Sequence, residues 1–249
     1  SKRYIGVAPA ADIIAVKGGE NSFSETRMID GLTYAAVKAA QFGKPIVVNW
    51  SIGGQQGSHD GTRGYEVAVD NFVTTAGRAV VISAGNDGGS PIHIAGSIAS
   101  GGSISIEINV PVYTPNAGSD NDQFLLDIWL GSATPLTATV SSPTGITYVR
   151  NAGEYGTGGN SADGVIYLEN SLSGSEADRR VLLWVHDNST SVPKSGTWVL
   201  TLSNPSTAAT YDGWLASRTV GAALVSVTGG NTTSTVSMPG TSVKAITVG

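Results

Sequence analysis

The chain has no cysteine among its 249 residues. Disulfides and thiolate metal sites are therefore excluded, while the compartment stays open, because cysteine-free chains occur both in a cytoplasm and outside bacterial cells. Charge is also scarce: 13% of residues are charged, against about 25% in an average soluble domain. The 14 Lys and Arg form no cluster and the net charge is -5, so there is no electrostatic footprint for nucleic acid or an anionic membrane. No apolar run approaches the ~18 residues that span a bilayer, and Ser1-Lys2-Arg3-Tyr4 lacks the apolar core of an export signal. The chain starts without Met and stops within Ile246-Thr247-Val248-Gly249, which reads as a piece of something longer.

Glycine is plentiful, with 33 residues, and Ser and Thr are common. This composition suits β-rich, loop-rich proteins that work outside the cytoplasm, and the length allows one large domain or two ordinary ones. Three apolar runs begin at Ile13, Ile46 and Ala79, evenly spaced by 33 residues, about the length of a βαβ unit. They read as parallel strands. Between the first two, Met28, Ile29, Leu32, Ala36 and Ala39 recur at helical spacing after a candidate capping box, Ser22-Phe23-Ser24-Glu25, and before Gly43 and Pro45. The second gap repeats the plan with Tyr65, Val69, Phe72 and Ala76, and with Gly77 as the expected cap.

Beyond residue 86 the pattern changes. Ser103-Ile104-Ser105-Ile106-Glu107-Ile108-Asn109-Val110 alternates strictly, as a strand with one wet face does. Further strands are expected at Phe124 to Leu130, Leu136 to Val140, Val165 to Leu168, Val181 to Val185 and Trp198 to Leu202, separated by turn formers such as Ser142-Pro143-Thr144-Gly145. Six or more short strands without a helix predict a β-sandwich. Ala245-Ile246-Thr247-Val248 is again a short apolar strand and is expected to rejoin the first sheet, which makes the sandwich an insertion.

The chemistry centres on Ala79-Val80-Val81-Ile82-Ser83-Ala84-Gly85-Asn86, a buried strand that runs into a glycine and a carboxamide. The lip of a parallel sheet is where α/β proteins place their sites. Gly85 keeps side chains away from an approaching ligand, and the Asn86 amide is a donor that does not titrate and could stabilise an oxyanion. A second strand, Val47-Val48-Asn49-Trp50, ends in Ser51-Ile52-Gly53-Gly54, an edge almost free of side chains on which a peptide can lie as an added strand. Gly6-Val7-Ala8-Pro9, Ala11 and Ala15-Val16-Lys17 precede them. In this order the three segments resemble the subtilisin-like serine proteases (subtilases), with their G-V-A-P-x-A…A-V-K, N-x-S-[LI]-G-G and A-G-N motifs.

The resemblance implies that Asn86 donates to the tetrahedral oxyanion, for which the family's own figure is about 2.7–4 kcal/mol. It implies that Ser51, Ile52 and Gly53 pair with the substrate backbone, and that Ala84 and Gly85 form the opposite wall of the pocket for the residue before the scissile bond. It also implies an acyl-enzyme endopeptidase whose Asp and His lie upstream of Ser1 and whose nucleophile lies downstream of Gly249, because none of the triad motifs is in place. The chain alone is expected to be inactive. Gly240-Thr241-Ser242 resembles the nucleophile motif, but Val243 to Val248 reads as β where the family has a buried helix. Larger bacterial members, clostridial germination proteases among them, look similar in carrying a jelly-roll-like insertion whose D-x-W-L end compares with Tyr211-Asp212-Gly213-Trp214-Leu215.

The expected organisation is thus an α/β subtilisin-like parallel sheet with flanking helices in residues 1–96, an inserted β-sandwich in 97–235, and a return to the first sheet in 236–249. No cofactor and no metal are called for; the substrate is a polypeptide, with no nucleic acid and no membrane span, and secretion or attachment to the cell envelope follows from the resemblance. His59, His93 and His186 read as solvated, and Asp120-Asn121-Asp122 as an Asx turn in preference to a calcium loop. Asn188-Ser189-Thr190 and Asn231-Thr232-Thr233 receive no role. Trp129, Trp184, Trp198 and Trp214 read as sandwich core in preference to a sugar platform. The rival readings are a pseudoprotease scaffold that holds peptides and a carbohydrate-binding sandwich.

Overall fold

The computed structural model describes residues 6–20, 23–172, 178–188, 190–203 and 205–249. Ser22, part of the expected capping box, and Ser189 lie outside them. Helix α1 (Glu25–Phe42) starts at Ser24, whose hydroxyl accepts from Arg27 N, and ends at Gly43, left-handed at φ 59°. A glycine at this position satisfies the last carbonyls at no steric cost. Its apolar stripe buries Leu32 and Ala35. Helix α2 (Gly64–Val73) is shorter than expected. The Thr74 hydroxyl donates to Asn71 O and closes the last turn, so Ala76 and Gly77 fall beyond the helix.

Strands β1 (Ile46–Trp50) and β2 (Arg78–Ser83) pair in parallel, and the C-terminal strand of the chain, Ile246–Val248, pairs in parallel with the other edge of β2. β2 is thus the central strand of a three-stranded sheet ordered β1, β2 and the C-terminal strand. Leu32 and Ala35 from α1, Val69 and Phe72 from α2, and Val80 and Ile82 from β2 close a small core beneath it. The run starting at Ile13 is not a strand, contrary to expectation. It is extended but pairs with no ladder and lies near α1, with Val16 close to Gly31 and Arg27 donating to Gly18 O, leaving Ile13 92% exposed. An apolar run specifies burial potential, whereas a strand also needs a neighbour to receive its backbone bonds.

The remaining strands, in chain order, are β3 (His93–Ile98), β4 (Ser103–Val110), β5 (Gln123–Leu130), β6 (Thr137–Ser141), β7 (Thr147–Arg150), β8 (Glu154–Ser161), β9 (Gly164–Leu172), β10 (Arg179–His186), β11 (Gly196–Ser203), β12 (Ala209–Val220), β13 (Ala223–Leu224), β14 (Ser226–Val227) and, closing the chain, β15 (Ile246–Val248). Apart from β15, which pairs with β2, they form a seven-stranded antiparallel sheet ordered β13-β12-β5-β10-β9-β8, with β3 also on β12, and a five-stranded sheet ordered β14-β4-β11-β6-β7. The inward positions of both sheets meet in one core, in which Trp198 packs edge-on against Phe124 at 5.5 Å. Each such fully buried side chain contributes about 1.5–3 kcal/mol. β3 belongs to the seven-stranded sheet, so the division placed at residue 96 falls inside a strand.

The outward face of β5 does not alternate as a wet strand should: Leu125, Asp127 and Trp129 are buried. Part of the cover comes from the loop that follows Gly54, where Gly57 N donates to Asp127 at 3.0 Å. Asp127 is paired with Arg180 at 2.8 and 3.0 Å, and the guanidinium groups of Arg63 and Arg180 lie 5.9 and 5.6 Å from the Trp129 ring. This junction joins the small core to the seven-stranded sheet next to the segments that carry the candidate chemistry.

Candidate active site

Three segments converge at the carboxyl ends of β1 and β2. The first is Ser51-Ile52-Gly53-Gly54, continuing β1; the second is Ala84-Gly85-Asn86, continuing β2. The third, Ser237-Met238, comes from a distant part of the chain. Met238 N donates to Gly54 O at 2.8 Å and Gly54 N to Met238 O at 3.0 Å, while Ser237 N donates to Ala84 O at 2.8 Å. Ser83 Oγ reaches Ile52 O at 3.2 Å, which ties the two arms directly.

Glycine is required at both lips. A Cβ on Gly53 would lie 2.3 Å from Ser237 Oγ, and one on Gly85 2.7 Å from the same oxygen; Gly85 also sits at φ +92°, where L side chains are strained. Ser237 is thus the floor between the two arms. It is buried and its hydroxyl has no partner among the described residues, a condition that costs about 1–3 kcal/mol. Ala84 spends its carbonyl on Ser237 and its N–H on Val248 O, so it can offer a wall but no backbone bond. Asn86 is exposed, and among the described residues its carboxamide makes no hydrogen bond. Gly53 is exposed as well and its backbone groups are unpaired among the described residues. All of Ser51, Ile52, Gly53, Ala84, Gly85 and Asn86 therefore meet at one end of the small sheet.

Ser242 is not at this site. It is buried, it donates to Asp70 Oδ1 at 2.6 Å, and the short strand β15 follows it. Its neighbour Thr241 donates to Glu66, which is wholly buried at the start of α2. Burial, its largest influence, pushes the Glu66 carboxyl above the usual glutamate range, against the lowering effect of the hydrogen bonds from the Thr241 hydroxyl and the Arg63 backbone N–H.

The histidines are not solvated, which corrects the sequence reading. His59 stacks on Trp214 at 4.0 Å with its ring nitrogens on Val236 O and Gln55 O, and burial holds it below the usual imidazole range. His93 is 4% exposed and contacts Asp212 at 2.9 Å. His186 stacks on Trp184 at 4.2 Å and contacts Asp120 at 2.8 Å. An aromatic ring lies beside each histidine: Trp214 beside His59 and, across the β3–β12 pair, beside His93, and Trp184 beside His186 on the same strand. Asp122 is buried, accepting from Asn116 N and Gly221 N, while Asp120 and Asn121 stay exposed, so the segment is a surface turn anchored by one buried carboxylate. Among the described residues no group of three or more His, Asp or Glu could hold a metal. Trp129, Trp198 and Trp214 are buried and only Trp184 is partly open, in keeping with a structural role.

Ser237 was missed by sequence reasoning. It lies 184 residues beyond Gly53, and nothing in a single sequence links positions so far apart.

Over part of its length the chain is similar to the subtilases. The profile of the subtilase family (Peptidase_S8) matches residues 1–117. Pyrolysin of Pyrococcus furiosus is 37% identical over 120 residues, which is 45% of this chain and 8% of pyrolysin. The solved structure of the Clostridium perfringens CspB protease is similar in fold, with a TM-score of 0.72 at 22% identity over 93% of this chain and 47% of that chain. The chain thus spans about half of the CspB chain and a small part of pyrolysin.

Proposed function

We propose that this chain supplies the substrate cleft and oxyanion donor of a serine endopeptidase that works through an acyl-enzyme. The observation that carries the reading is the exposed Asn86, without a side-chain hydrogen bond among the described residues, directly after the left-handed Gly85, which shares the Ser237 floor with the open Gly53 edge. A polypeptide lying along Ser51-Ile52-Gly53 adds a strand and presents its scissile carbonyl towards Asn86. As the carbonyl becomes tetrahedral, its oxygen gains charge that the fixed N–H dipole stabilises more strongly than it does the ground state. Gly85 admits the approach, and the side chain before the scissile bond lies between Gly53 and Ala84-Gly85.

The Asp, His and Ser of the triad belong, in this reading, to polypeptide outside the present chain, and the strands from β3 to β14 are a β-sandwich inserted within the protease core. Secretion follows from the same reading. Purified chain is expected to hydrolyse no chromogenic peptide. It is expected to bind a short peptide ending in a phosphonate, which mimics the tetrahedral oxyanion, with 15N–1H shift changes confined to residues 51–54, 84–86 and 237–238. Shift changes elsewhere, on the outer face of the seven-stranded sheet for instance, would favour a binding module of another kind. Turnover abolished by Ser242→Ala would contradict the assignment of the nucleophile.

A further inference from the structure

Asn86 is unrestrained by its own side chain, so the placement of its carboxamide depends on the backbone on either side. Gly85, before it, is conformationally permissive. Restraint must therefore come from the residues after it. Asp87 opens a tight turn in which Ser90 N donates to Asp87 O at 2.8 Å. Two side chains from opposite directions hold that turn. Gln55, buried next to Gly54, donates its Nε2 to Asp87 Oδ2 at 3.2 Å and to Thr235 O at 3.0 Å. Arg218, from β12, donates Nη2 to Ser90 Oγ at 2.7 Å and stands 3.9 Å from Asp87 Oδ1. A register shift between Leu215 and Ser217 lies immediately upstream of Arg218 in β12, and bulges of this kind re-aim the side chains that follow them.

We propose that Arg218 is a positioning residue for the oxyanion donor: with Gln55 it clamps the Asp87–Ser90 turn and thereby fixes Asn86, coupling the seven-stranded sheet to the cleft. The proposal rests on the reading of Asn86 given above. One guanidinium nitrogen, Nη2, meets both ends of the turn, by a hydrogen bond to Ser90 Oγ and a longer charge contact with Asp87 Oδ1. The clamp also spans the two arms, because Gln55 follows the Gly53-Gly54 lip and Asp87 follows Asn86. A donor works only within ~2.7–3.1 Å of the developing oxyanion, and displacements of about 1 Å elsewhere in active sites cost up to ~10²-fold.

The test uses the chain labelled with 15N and two peptides of the same sequence, one ending in a phosphonate and one in a carboxamide. Wild type should prefer the phosphonate and shift the Asn86 side-chain resonances on binding it. In Arg218→Ala that preference should fall about tenfold, with affinity for the carboxamide peptide nearly unchanged, and Arg218→Lys should restore part of it. Asp87→Asn, which removes the ionic contact but keeps an acceptor for Gln55, should show the same loss in smaller measure and serves if Arg218→Ala does not fold. If Arg218→Ala and Asp87→Asn retain the wild-type preference, the positioning role is overturned while the cleft stands. If wild type itself fails to shift Asn86 with the phosphonate, the reading of the cleft fails and takes the proposal with it.

Discussion

Ser237 is the residue on which the candidate site turns. Its hydroxyl is buried, without a partner among the described residues, between two glycines that leave no room for a methyl group. Ser237→Ala should therefore stabilise the chain by about 1 kcal/mol, since it removes an unsatisfied polar group while leaving the packing almost unchanged. Denaturant unfolding would read this as a higher midpoint at constant slope; a loss of stability would mean that the hydroxyl has a partner in solution. Gly53→Ala should act the other way, costing about 1–3 kcal/mol through overpacking, and Ser237→Gly should relieve part of that cost.

At the scale of elements, α2 carries a testable pH dependence. Glu66 caps its first turn by accepting from Arg63 N at 3.2 Å and receives Thr241 from the segment leading to β15. Burial raises its folded pKa above the unfolded value. The protonated form is thus the one the fold favours: the contribution is fully present below the unfolded pKa and fades as pH rises through the folded one. Wild type should lose stability relative to Glu66→Gln as pH increases from about 4 towards neutrality, measured by denaturant unfolding of both at each pH. A difference independent of pH would show that Glu66 is not shifted.

The elements also show what a single sequence can reveal. Helix α1, β1, β2 and β15 were legible because apolar spacing, a capping serine and a terminal glycine all agree. The stretch from Ile13 was misread because apolarity was present without a pairing partner. β8 was missed because Gly156, Gly158 and Gly159 hide a strand that its neighbour β9 imposes. The two arms of the site were visible as local motifs, whereas the Ser237 floor and the Arg218 clamp depend on contacts more than a hundred residues apart.

At the scale of the molecule, two cores of unequal size are joined at Asp127. Its carboxylate is wholly buried and serves both Arg180 and Gly57 N. Removing one partner of a buried ion pair strands the other, so Asp127→Asn should cost about 3 kcal/mol. Native-state hydrogen exchange should find β5 and β10 the slowest elements and β1 much faster, because the core under β1 is small and its outer edge is unpaired among the described residues. Equal protection in β1 and β10 would indicate a single cooperative unit. No helix among the described residues is long and apolar enough to cross a membrane.

The central proposal is that Asn86, exposed beyond the end of β2, binds an oxyanion beside the glycine-lined Gly53 edge. The most direct measurement is the steady-state kinetics of the intact protein with Asn86→Leu. A kcat lowered by about 10²–10³ with KM little changed is the predicted result; an unchanged kcat would contradict it.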